Sequence, residues 1–117
     1  MSKKARREKR ERQRHLNQHK NDYKPVKQQL ISDAGSTCML CGKKVERNKI
    51  TWHHIKPRAA GGKNSYENSG LLCPDCHVFI HIWDWRSPEY IYYTSVILNN
   101  KYYFLTKKGT PHFEFPF

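Results

Sequence analysis

Four cysteines and four histidines in this chain have the types and spacing that metal chemistry needs. Cys38-Met39-Leu40-Cys41 and Cys73-Pro74-Asp75-Cys76 are two Cys-x-x-Cys pairs. Two thiolates two residues apart grip one ion from a tight turn. Gly42, just after the first pair, lets the backbone reverse there with its amides turned toward sulfur. Cys38, Cys41, Cys73 and Cys76 together offer the closed tetrahedral set that a structural Zn²⁺ takes. Positions 42 to 72, 31 residues, separate the pairs. Zinc ribbons use gaps of roughly 15–20. The longer gap has room for a hairpin and a loop, so this ion would close a whole sub-domain. A redox role would need one pair and leave the other without purpose.

His53, His54, His77 and His81 remain. His77 and His81 are four residues apart, one helical turn, so their rings share a face and can bind one ion. His53 and His54 are adjacent. On a strand they point to opposite sides. One of them can then join the helical pair, and the other is left for different chemistry in the same cleft. A neutral imidazole with an ordinary pKa of about 6.5 can take a proton from water. Next to an ion that neutralises developing charge, such a base suits hydrolysis.

Composition says what would be hydrolysed. Among 117 residues, Lys and Arg number 22 and Asp and Glu 10, a formal charge of +12. So large a charge on a small chain favours a polyanion, nucleic acid first. The bond in question is then a phosphodiester, with Arg58, and less strongly Lys56, bracing the phosphate; arginine adds forked contacts. The set lacks carboxylates for a second ion, so one catalytic ion should suffice. Imidazole ligands shift its preference from Mg²⁺ toward Mn²⁺, Ni²⁺, Co²⁺ or Zn²⁺.

With 37% hydrophobic residues and a mean hydropathy of −0.94, one domain is expected, with a core that a metal would help to hold. No run approaches the roughly 20 apolar residues of a membrane span, and no wide apolar helix face suggests a membrane surface. The N-terminus lacks the apolar segment of a signal peptide. A cytoplasmic location follows as the expectation, and there thiols serve metals more often than disulfides.

The elements that must position these groups read as follows. Residues 1–24 form a basic flexible or helical arm, in which Lys3, Lys4, Arg6, Arg7 and Arg10 would neutralise phosphates. Pro25 to Ala34 is a short helix stopped by Gly35. Ile50-Thr51-Trp52 is a strand entering the histidine pair, and Pro57 to Ser65 is a loop. A helix starts at Cys73-Pro74 and runs to about Trp83 or Asp84. Glu89 to Thr106, rich in aromatic and β-branched residues, reads as a β-hairpin turning at Asn99-Asn100. The expected division is 1–24 arm, 25–86 core and 87–117 hairpin and tail packed on that core.

His53-His54-Ile55, Pro57-Arg58, Gly61-Gly62, Glu67-Asn68, Leu71-Leu72-Cys73 and Cys76-His77 together resemble the HNH endonucleases, a branch of the ββα-metal nucleases. The resemblance runs from about Thr37 to His81, and the Cys-x-x-Cys pairs match the zinc-containing branch found in small phage and bacterial nucleases. It implies an α+β, zinc-stapled, treble-clef-like ββα-metal core. It makes His54 the general base, Asn68 the residue that holds the loop and orients the base, and His77 a ligand of the catalytic ion. His53 takes the ligand position before the base, and His81 matches an extra ligand of colicin-type members. The activity implied is metal-dependent hydrolysis of DNA, by nicking or cutting, in a bacterial or phage-infected cell, with other phage or host proteins as further partners. Two readings stay open beside it: a non-catalytic zinc-stapled nucleic-acid-binding module, and a nuclease directed at RNA.

Overall fold

The computed structural model describes residues 24–115. Residues 1–23 of the expected arm, Lys3, Lys4, Arg6, Arg7 and Arg10 among them, lie outside this range. Three helices and one two-stranded sheet follow in the order α1 (Lys24–Ala34), β1 (Thr51–His54), β2 (Ser69–Leu72), α2 (Pro74–Ile80) and α3 (Pro88–Thr106). No helix among the described residues is long and apolar enough to cross a membrane. The architecture is α+β, with four clustered cysteines at its centre.

The first Cys-x-x-Cys pair sits on a turn closed by Cys38 N–H donating to Lys43 O and Gly42 N–H to Cys38 O. Gly42 adopts φ +79°, and a Cβ there would lie 2.8 Å from the Phe113 ring. Glycine therefore serves both the turn and the C-terminal tail packed on it. Met39 N–H donates to Leu71 O at 2.8 Å, joining this turn to β2. Strands β1 and β2 pair antiparallel, with His53 opposite Gly70 and His54 opposite Ser69. Leu30, Met39, Leu40, Ile50, Leu71, Leu72, Ile80 and Ile97 are fully buried in one cluster with the cysteines. The apolar core is thus wrapped around the thiols.

The expected hairpin over 89–106 is corrected: this stretch is the single helix α3. Ser87 caps it, its Oγ accepting from Tyr90 N at 3.2 Å, with Pro88 in the first turn and Glu89 beside it. Lys107, at φ 56°, ends it. The buried face uses Tyr90, Tyr93, Val96, Ile97, Asn100, Lys101 and Phe104, at the three- and four-residue spacing of a helix. Strand propensity is a weak preference that packing overrides. The polar residues in the stripe hid it. Asn100 donates to Met39 O and His112 O and accepts from His112 N. Lys101 Nζ donates to Tyr66 O at 2.5 Å and Ser69 O at 2.7 Å. Asn100 thus satisfies a carbonyl of the cysteine turn, and Lys101 clamps the residues leading into β2 onto α3. Helix α2 is also shorter than expected, ending at Ile80 with His81 as its cap.

Candidate metal centre and catalytic cleft

The sulfurs of Cys38, Cys41, Cys73 and Cys76 all lie within 4.8 Å of one another, and all four residues are buried. Cys41 Sγ and Cys73 Sγ are 3.9 Å apart. A tetrahedron with Zn–S bonds of about 2.3 Å has edges of about 3.8 Å, so the spacing fits. Cys41 N–H points at Cys38 Sγ and Cys76 N–H at Cys73 Sγ, placing backbone dipoles where thiolate charge would be. The thiols already divide their protons unequally. A hydrogen bond from Cys76 pulls the Cys38 thiol down to about 5, and the same bond pushes Cys76 up. Burial raises Cys41 to about 11. So many sulfurs this close call for a cation to replace those protons.

The second donor set is His53, His77 and His81, whose ligand atoms also lie within 4.8 Å of one another. His77 on α2 and His81 at its cap have ring centroids 4.8 Å apart. His53 on β1 approaches them at 5.5 and 5.3 Å. His53 is 1% exposed. Its Nδ1 is buried with no hydrogen-bond partner. An orphaned buried nitrogen beside two more imidazoles fits a divalent ion. Burial, then the neighbouring His77, His81 and His54, push the His53 imidazole down to about 3. Burial, with His81, lowers His77 as well. Both rings are therefore held in the neutral form that ligates metal.

These shifts have a consequence for stability. Between pH 6.5 and about 3 the unfolded chain binds a proton at His53 that the folded chain does not. Before the imidazole cluster is loaded, its contribution is present above pH 6.5 and lost on acidification, by up to about 1.4 kcal/mol per pH unit. Denaturant unfolding at pH 7 and pH 5.5 of protein carrying zinc at the cysteines alone should show this loss. H53Q should show a shallower dependence, and equal slopes in the two proteins would contradict the assignment.

His54, next to His53, faces the other way. Its Nε2 is 2.6 Å from Asn64 Oδ1, and its ring meets Trp52 edge-on with centroids 4.1 Å apart. An amide oxygen accepts, so Nε2 carries the proton and Nδ1 is left as the basic atom. A cleft of about 610 Å³ is lined by His54, His77, His81, Arg58, Lys27 and Lys49 among others. Lys56 lies elsewhere, in a separate groove with Trp85 and Arg86.

Asn68 holds the loop. Its Oδ1 accepts from Lys56 N, and its Nδ2 donates to Lys56 O and Lys63 O. This ties both ends of the segment between the strands, so Asn68 fixes the loop while Asn64 meets the His54 ring. Within the same loop a Cβ on Gly62 would fall 1.8 Å from Lys56 O, so only glycine fits. Sequence reasoning missed Asn64, Lys27 and Lys49. Only the type of Asn64 and the charge of the lysines were visible beforehand, and neither says which cleft a side chain lines.

No curated protein matches the chain. The family model of HNH endonuclease matches residues 38–81, the stretch that holds both donor sets, His54 and Asn68.

Proposed function

We propose that this protein is a metal-dependent endonuclease that hydrolyses DNA phosphodiester bonds. The observation that carries the reading is one cleft lined by the basic nitrogen's ring, His54, and by two rings of the imidazole cluster, His77 and His81. A pure binding module has no use for that pairing. His53, His77 and His81 would hold one divalent ion, and the four cysteines a structural Zn²⁺. The ion, when bound, supplies positive charge to a phosphate oxygen and to the departing 3′ oxygen.

The chain's own groups do the rest. Asn64 keeps the His54 proton on Nε2, so Nδ1 accepts a proton from the attacking water. Arg58, Lys27 and Lys49 bring cations to the same cleft and can hold the phosphate. Asn68 keeps the intervening loop from shifting the base. The formal charge of +12 supports sequence-independent attraction to the backbone.

The test is supercoiled plasmid incubated with the zinc-loaded protein and Mg²⁺, Mn²⁺, Co²⁺, Ni²⁺ or Zn²⁺ in turn, with structured RNA run in parallel. Nicked circles with at least one ion, and slower RNA loss, are expected. DNA binding without cleavage under every ion would favour the zinc-stapled binding module, and faster RNA loss would favour the RNA nuclease.

A further inference from the structure

Tyr90, in the first turn of α3, is buried, and its hydroxyl touches the imidazole cluster from behind. Its Oη lies 3.2 Å from His53 Nε2, 3.0 Å from Ile55 O and 3.3 Å from His54 O. The hydroxyl has one proton and three neighbours, two of them carbonyl oxygens that only accept. Turned toward His53, that proton would leave two carbonyls facing hydroxyl lone pairs. Turned toward Ile55 O, it leaves the hydroxyl oxygen to accept a proton from His53 Nε2. The second arrangement pairs the hydroxyl with Ile55 O and with His53 and leaves only the more distant His54 O facing a lone pair, and it settles the tautomer: Nε2 carries hydrogen and Nδ1 carries the lone pair. Nδ1 is the buried nitrogen that has no partner in the protein.

We propose that Tyr90 is a positioning residue that locks His53 as the Nε2–H tautomer and thereby presents Nδ1 to the ion shared with His77 and His81. The inference rests on reading those three histidines as ligands. A ligating histidine commonly donates its other ring N–H to an oxygen, which fixes ring and tautomer together. Here that oxygen comes from a helix outside residues 38–81, so α3 helps to build the metal site as well as the core. Phenylalanine at this position keeps the ring and removes the oxygen, leaving His53 Nε2 free to lose its hydrogen to Nδ1.

The experiment uses the full chain with its cysteine zinc in place, ¹⁵N-labelled at histidine and freed of any second ion by a mild chelator. Long-range ¹H–¹⁵N correlation at neutral pH reads each imidazole tautomer, with the H53Q spectrum assigning His53. Wild type should show Nε2 protonated and Nδ1 bare. Y90F should show a mixture of the two tautomers. It should also bind Mn²⁺ at the imidazole cluster about 10–100-fold more weakly by calorimetry, with one zinc per chain retained. A wild-type His53 protonated on Nδ1 overturns the proposal, whether or not Y90F folds. So does a Y90F protein with unchanged tautomer and unchanged Mn²⁺ affinity. Failure of a different kind is recognisable: a wild-type protein with the expected tautomer that takes up no second ion would overturn the ligand reading, and this proposal with it.

Discussion

H54A is expected to lose metal-dependent plasmid nicking by about 10²–10⁴-fold, the range for removing a positioned general base. Zinc content, Mn²⁺ affinity and DNA binding should stay near wild type. The separation follows from geometry. His54 stands apart from both donor sets, half-buried on β1, and contacts Asn64 and Trp52. Its removal takes a proton acceptor from the cleft and leaves His53, His77 and His81 where they are. H77A should also abolish nicking, but through weaker binding of the ion, so excess Mn²⁺ should restore part of its rate and none of the rate of H54A. Cleavage by H54A at the wild-type rate would end the assignment of the base.

The largest effect on stability should come from the cysteine cluster. C76S, or zinc removal by a strong chelator, is expected to unfold the described core at room temperature. Structural zinc contributes about 10–16 kcal/mol in small zinc modules, against a net stability of about 5–15 kcal/mol for a typical domain. Cys76 is fully buried at the start of α2, and the core leucines, Met39 and Ile80 pack in the same cluster. An ion held by the four sulfurs would join the turn after α1 to the turn after β2, and without it neither end of the 31-residue segment at positions 42 to 72 would be tied at its cysteines. Circular dichroism and thermal unfolding, with zinc counted on the same samples, would check this. A zinc-free protein with an unchanged cooperative transition would show that the hydrophobic cluster suffices alone.

Smaller effects should separate the two donor sets. Chelation mild enough to spare the thiolate-held zinc should remove nicking while leaving the thermal transition nearly in place. The imidazole set includes the exposed His81, and His77 and His81 line the cleft, whereas the four sulfurs are enclosed.

The elements nearest the metals were the most legible. Cys-x-x-Cys spacing restricts which atoms can share an ion because the bonds are short and the turn between them is local. The four-residue step from His77 to His81 did the same on α2. Adjacent strand residues must diverge, which is why His53 and His54 were bound to part company. The helix after Cys73-Pro74 and the helix over Pro25 to Ala34 carried their own start signals. The segment from Glu89 to Thr106 did not follow its composition. Its capping signal, Ser87-Pro88-Glu89, was present, but two buried polar residues interrupted the apolar stripe. Asn100 and Lys101 are buried because carbonyls of Met39, Tyr66 and Ser69 wait for them, far away in sequence.

What the sequence determined by itself was the donor inventory and its division into a thiolate site and an imidazole site, since both are set by spacing over a few residues. Tertiary structure alone decided that Asn64 rather than Asn68 meets the His54 ring, that Lys27 and Lys49 join Arg58 in the cleft while Lys56 does not, and that Tyr90 stands behind His53. Such pairings join groups 10 to 37 positions apart. No local spacing encodes them, because they exist only after the core has packed and the chain has brought a donor to an acceptor that cannot reach water.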